Sequence, residues 1–237
     1  MDQLNLGEIT IEVELKDIKN IHLSVYPPTG RVRIAAPLRM NLDTIRIYAI
    51  SKLGWIKKQQ QKFRSQVREA PREYLNKEGH YYLGNRYLLK VIEHDAPPTV
   101  KIKHTTIELY IRPNSDLLKK QSVLDQWYRE QLKELALPII EKWEGLLGVS
   151  LNELGIRKMK TKWGTCNREA GRIWLNLELA KKPLHCIQYI IVHELVHLLE
   201  RNHNSNFIAY MDRFLPEWRH LKGELNQLPV SRGEWVY

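Results

Sequence analysis

A chain of 237 residues, 43% hydrophobic and 27% charged, carries enough apolar material for one large domain or two small ones, and this composition excludes wholesale disorder. The formal net charge of +10 favours anionic partners, with nucleic acid, nucleotides and acidic proteins as candidates. No apolar run approaches the roughly 20 residues that cross a bilayer, and the opening MDQLNLGEIT lacks the basic and apolar regions of a secretory signal, so the expectation is a cytoplasmic protein with no membrane partner.

The first third reads as strand. In ITIEVELKD, Ile9, Ile11, Val13 and Leu15 alternate with polar residues, and the same period of two recurs in Ile21, Leu23 and Val25 and in Val32 and Ile34, with a turn at YPPTGR between them. Asn41 or Asp43 can cap a single long helix through TIRIYAISKLGWIKKQQQKFRSQV, which Pro71 ends. A second β section follows in HYYLGNRYLLKVIE, with a turn at Gly84 and Asn85, and in TVKIKHTTIELYIRP. Near Pro113 the composition changes. Helical periodicity runs from Leu117 to Leu147, capped by Ser115 or Asp116, with Pro138 expected to kink or divide the helix. IRKMKTKWGTCN and GRIWLNLELA read as two strands, PLHCIQYIIVHELVHLLE as a helix starting at Pro183, and NSNFIAYMDRFLPEWRHLKGELNQL as a helical pair interrupted at Pro216. The plan is α+β: a β-rich N-terminal domain with one long helix over residues 1–113, then an α+β domain over 114–237.

Two basic clusters stand out, one of Lys57, Lys58, Lys62, Arg64, Arg68 and Arg72, the other of Arg157, Lys158, Lys160, Lys162, Arg168 and Arg172. Each is either a polyanion-binding surface or a solvated face. The two cysteines, Cys166 and Cys186, lack a paired C-x-x-C spacing and read as reduced thiols.

The chemistry concentrates in HELVHLLERNH, residues 193–203. His193 and His197, four apart on a helix, place their imidazoles one turn from each other on one face, which suits two nitrogens converging on one cation. Glu194 flanks that face, where it can hold a water beside the metal; this is the H-E-x-x-H arrangement of zinc hydrolases. Imidazole pairs favour zinc, and a catalytic zinc takes three protein ligands with a fourth position open. His203 lies six residues past His197 and can turn back as the third ligand. Metzincin peptidases use the same spacing with a glycine where this chain has Glu200, so the turn is expected at Asn202, the residue best able to take a left-handed conformation. No Met-turn follows, since Met211 falls in a helical stretch. The competing third ligand is a carboxylate from a later helix, Glu217. His203 is preferred because it is close and because Asn204 or Ser205 can cap a helix directly after it.

KTKWGTC, IWLNLELAKKP, YIIVHELVHL and NHNSNF, in this order, resemble the YgjP-like family of zinc metallohydrolases, relatives of SprT-like and other zincin peptidases; GRVRIAAP, GWIKKQQQKF and YYLGNRYLLKV fit the family's β-rich leader. The resemblance implies a zincin-like catalytic domain, with a small mixed sheet, a backing helix and an H-E-x-x-H helix. It implies His193, His197 and His203 as metal ligands and Glu194 as the catalytic carboxylate. Thr165 stands where serine is common in the family. The resemblance also places Trp163, Gly164 and Thr165 on a strand beside the cleft, where an extended peptide can pair; Trp163 reads equally as core and Gly164 equally as a bulge. The implied reaction is hydrolysis by a zinc-activated water with Glu194 as general base, on a peptide or protein substrate. Two alternatives stay open: a metal-dependent nucleotide pyrophosphatase, and a nucleic-acid-associated protease of the SprT-like kind.

Overall fold

The computed structural model of the chain describes residues 2–26, 29–65, 72–159 and 162–228. These residues fall into two compact units, within Met1–Glu69 and within Ala70–Leu228. In the first, β1 (Asp2–Leu6), β2 (Ile9–Lys16), β3 (His22–Tyr26) and β4 (Arg31–Pro37) form a sheet in the order β1-β2-β4-β3, with β2 and β4 parallel. The alternation read in the sequence buries Ile9, Ile11 and Val13 on one face, where Ile45, Ala49, Ile56 and Phe63 join the same core. Those four come from two helices, α1 (Leu42–Ser51) and α2 (Leu53–Ser65), where the sequence predicts one. The break is at Lys52, whose N–H bonds back to the Ala49 carbonyl at 3.1 Å and tightens the last turn of α1. Asn41 is the cap, accepting from the Thr44 N–H at 2.8 Å. The expected stop at Pro71 lies outside the described residues.

The second unit opens on β5 (Gly79–Tyr82), β6 (Asn85–Glu93), β7 (Thr99–Lys103) and β8 (Thr106–Ile111), ordered β5-β6-β8-β7 with β6 and β8 parallel, the same plan as the first sheet. The compositional change near Pro113 falls inside this unit, because side chains tie β5 to the long helix α3 (Leu117–Leu147). The Tyr128 hydroxyl donates to the Tyr81 carbonyl at 2.9 Å and the Tyr82 hydroxyl to Gln131 Oε1 at 3.0 Å. Both Tyr128 and Gln131 lie on α3, which Asp116 caps. Pro138 does not divide this helix. The buried seam of Leu132, Ala136 and Ile140 continues past it while Pro138 itself faces solvent, so packing on one side offsets the lost backbone bond on the other.

A three-stranded sheet comes next, β9 (Glu153–Arg157), β10 (Gly164–Asn167) and β11 (Arg172–Asn176), in the order β10-β11-β9. The run IRKMKTKWGTCN is therefore two strands rather than one, lying on opposite sides of β11, with β9 parallel and β10 antiparallel to it. β10 is an edge strand. The second expected strand stops at Asn176, whose side chain accepts from the Glu178 N–H at 3.2 Å and starts a 3-10 helix, Leu177–Lys181. The chain then forms α4 (Leu184–Leu199), α5 (Ser205–Phe214) and α6 (Trp218–Gln227). From Tyr189 to Val196 every residue of α4 is buried, as befits a helix apolar on nearly all faces. No helix among the described residues is long and apolar enough to cross a membrane.

Candidate metal centre

α4 carries His193 and His197 one turn apart and ends at Leu199. The chain then turns without the left-handed residue expected at Asn202, which is not among the residues with positive φ. Instead Glu200 is extended, with φ −134° and ψ 116°, and its carboxylate accepts the Asn202 N–H at 3.2 Å. An extended residue plus a side-chain bond does the work of the metzincin glycine. Asn204, bonded to the Phe207 N–H at 3.1 Å, then starts α5. This return path brings His203 back over the end of α4.

The three imidazoles converge through one kind of nitrogen. His203 Nε2 lies 3.0 Å from His193 Nε2 and 3.1 Å from His197 Nε2. Tetrahedral zinc with Zn–N bonds of about 2.05 Å requires N···N separations of about 3.3 Å, so the donor set fits a zinc ion within a few tenths of an ångström. The remaining nitrogen of His197 supports this arrangement: Nδ1 lies 3.0 Å from the Glu200 carbonyl, to which it donates, leaving Nε2 as the lone-pair nitrogen. Exposure rises from His193 (6%) through half-buried His197 to exposed His203, so the cluster opens to solvent on one side. Burial, aided by the neighbouring rings and Lys222, pulls His193 down to about 3; burial also lowers His197 and His203. Neutral imidazoles are the ligand form.

Phe207 is the residue the sequence reading left out. Its ring centroid lies 4.9, 4.8 and 4.7 Å from those of His193, His197 and His203, and it is 2% exposed. One phenyl ring thus backs all three candidate ligands. The only signal for it in the sequence was its place at the end of NHNSNF. Glu217, the competing third ligand, joins no cluster of metal-ligating groups among the described residues; it is exposed at the start of α6.

Glu194 is fully enclosed, and burial pushes its carboxyl up to about 8, with the Lys162 charge pulling the other way. Against it lies β10. A Cβ built on Gly164 would come within 2.6 Å of Glu194 Oε1 and 2.7 Å of its Cγ. Gly164 is therefore a site of close backbone approach to the carboxylate. Trp163 packs in the core, 4% exposed, with Lys182 Nζ 5.5 Å from its ring centroid and its carbonyl accepting the Asn176 N–H at 2.8 Å. Thr165 is half-buried opposite Trp174 of β11. Both cysteines are free thiols; burial, reinforced by Glu194 and Glu224 respectively, raises Cys166 to about 11 and Cys186 to about 12. At neutral pH both shifts favour the thiol over the nucleophilic thiolate.

Among solved structures, the metallopeptidase zymogen abylysin of Pyrococcus abyssi is 22% identical, covering 38% of this chain and 90% of its own, with a TM-score of 0.36. The zymogen of jannalysin, a metallopeptidase of Methanocaldococcus jannaschii, is also 22% identical, covering 40% of this chain and 94% of its own, with a TM-score of 0.34. Curated proteins gave no match. The YgjP-like metallopeptidase domain matches residues 19–228, and the chain belongs to that family.

Proposed function

We propose that this metallopeptidase-family chain is a zinc peptidase acting inside the cell, with His193, His197 and His203 holding the ion and Glu194 as general base. The observation that carries the reading is the convergence of three Nε2 atoms at 3.0 and 3.1 Å, with the buried carboxylate of Glu194 next in the chain to His193. When bound, zinc supplies a Lewis acid that polarises the scissile carbonyl and makes water acidic near neutral pH. Glu194, whose ionised form the charge of a bound cation would favour against the burial that raises it, takes the proton of the attacking water and delivers it to the leaving amine. Gly164 leaves the carboxylate room to stand beside the backbone of β10, and the free edge of that strand can pair with an extended substrate. All of these groups lie within residues 114–237, the portion assigned to catalysis. The two free thiols suit a reducing compartment.

The test is to assay the zinc-loaded protein and its Glu194→Gln variant against a mixed peptide library and a nucleotide panel. The expected result is peptide cleavage that falls by about 10³-fold in the variant while zinc content is unchanged. Peptide cleavage at the normal rate by Glu194→Gln removes the general-base assignment, and a nucleotide activity that vanishes in its place overturns the peptidase reading.

A further inference from the structure

Away from the three histidines, another corner of the second unit gathers groups that bind metals. α6 packs against α4 and buries its own Leu221 and Leu225. Between those two leucines in sequence, Glu224 reaches the first turn of α4, where its Oε1 lies 2.8 Å from His185 Nε2. Cys186, the next residue of α4, is fully buried. One donor atom from each of His185, Cys186 and Glu224 lies within 4.8 Å of the other two. The His185 side chain is 51% exposed and that of Glu224 33%, so the corner opens to solvent through the imidazole and the carboxylate, with the sulfur on its closed side.

Ordinary packing accounts for these groups one at a time. A buried cysteine serves as a small core residue, and a His–Glu pair at the surface adds little to stability. Together they are a nitrogen, a sulfur and an oxygen donor in one place, and the Cys186 thiol makes no hydrogen bond among the described residues. Cys166, the other thiol, joins no such group among the described residues. The Glu224 charge adds to burial in holding Cys186 protonated, with Lys182 opposing; a cation between the two would turn that repulsion into shared ligation.

We propose that His185, Cys186 and Glu224 form a second divalent-metal site, of the zinc type, that fastens α6 to the first turn of α4. A donor set that includes a thiolate selects zinc over magnesium or calcium, and three protein ligands leave one tetrahedral position for water. Donors around tetrahedral zinc stand about 3.3–3.6 Å apart, so the widest separation here closes by at most about 1.2 Å and the 2.8 Å pair opens by about 0.5 Å. His185 and Glu224, the more exposed side chains, make that adjustment around a cysteine held by packing. Binding releases the thiol proton to solvent and leaves the thiolate on the ion. His185 precedes His193 by eight residues, about 12 Å of helix, so this site stands apart from the histidine centre and does not rest on the peptidase reading.

The experiment titrates the metal-free full chain with Co2+, whose bond to a thiolate gives a near-ultraviolet charge-transfer band that imidazole ligands alone do not give. The expected result is two ions bound per chain, with the band appearing as one of them binds. The band is lost in Cys186→Ala and kept in Cys166→Ser and in His203→Ala. In His185→Gln and Glu224→Gln it forms with affinity lower by at least about tenfold, and these two exchanges leave the core untouched, so they decide the matter where Cys186→Ala does not fold. Zinc raises the melting temperature of the His203→Ala chain, and adding Glu224→Gln shrinks that rise. One Co2+ per chain with no thiolate band, a band that vanishes in Cys166→Ser or His203→Ala, or an affinity unchanged in both His185→Gln and Glu224→Gln overturns the second site and leaves the histidine centre standing. A zinc-induced rise that Glu224→Gln leaves intact overturns the fastening of α6.

Discussion

Gly164→Ala tests the contact between the edge strand and the proposed general base most directly. The added methyl would stand 2.6 Å from Glu194 Oε1, 2.7 Å from Cγ and 2.9 Å from Cδ, whereas ordinary contact begins at 3.4 Å. Either the carboxylate or β10 must yield by the difference, 3.4 − 2.6 = 0.8 Å. Glu194 sits on a helix buried on all sides around it, so little of that displacement can be absorbed without strain. Overpacking of this kind costs about 1–3 kcal/mol of stability. A shift approaching 1 Å in a catalytic group costs roughly 10²-fold in rate. The three atoms nearest the new methyl all belong to Glu194, so zinc affinity is expected to stay within a few-fold of the native chain. The assay is kcat/KM on a cleaved peptide together with zinc content and the melting temperature. Gly145→Ala in α3 is the control: a Cβ there meets nothing within 4 Å, and the exchange is expected to stabilise by about 0.4–1 kcal/mol. Native activity in fully zinc-loaded Gly164→Ala would refute the reasoning, as would a loss traced to missing zinc.

Three other outcomes are expected from the same geometry. His203→Ala is expected to weaken zinc binding by at least about tenfold, with Glu217→Ala leaving it unchanged, as measured by competition with a chromophoric chelator; the opposite pattern moves the third ligand to α6. Phe207→Ala removes the ring behind all three imidazoles and is expected to lower zinc affinity about ten- to a hundredfold, read in the same titration, even though no ligand atom is deleted. At the 3-10 helix, burial opposes ionisation of Glu178, but Lys181 Nζ, 2.8 Å from both its oxygens, and the Lys182 and Lys158 charges outweigh it and hold its carboxyl below the usual range. The folded pKa lies below the unfolded one. The pair's contribution is therefore complete above about pH 4.5 and is lost as pH falls through the folded value. Melting temperatures between pH 7 and pH 3 should drop more steeply for the native chain than for Glu178→Gln, and Lys181→Met should cost about 3 kcal/mol at pH 7 by stranding the carboxylate.

The centre was legible because its parts are local. Two histidines four apart, and a third within reach of a short return, are fixed by helical geometry and chain length alone, and the structure brings His193, His197 and His203 together as that spacing requires. The details that depend on side-chain to backbone bonds were not legible. Asn202 looked like the natural turn residue, yet the Glu200 carboxylate organises the turn from outside the helix. Periodicity likewise found the β sections from Ile9 onward, but it passed over β1 (Asp2–Leu6), whose one buried residue is Leu4, and it placed the breaks wrongly where one side chain decides them. Asn176 ends a strand that hydrophobicity alone would extend through Leu177 and Leu179, both of which remain buried in the 3-10 helix.

The close approach at Gly164 shows why these two kinds of information meet in the cleft. A glycine beside a tryptophan in KTKWGTC is compatible with a bulge, a turn or a ligand contact, and nothing within the strand separates them. The partner that decides is thirty residues away in sequence, on a different element. Gly155, on β9, presents the same problem with a different answer: a Cβ there would run into the Trp174 ring at 2.3 Å, and Trp174 is flanked by Arg157 and Arg172 over its faces. In one three-stranded sheet, then, one glycine makes room for an aromatic ring and the other for a carboxylate. Only the second gives the backbone of an edge strand direct access to a titratable group. The sheet is in this sense asymmetric about β11, with β9, its glycine and Arg157 against the Trp174 ring on one side and, on the other, β10 with its open edge against the proposed general base.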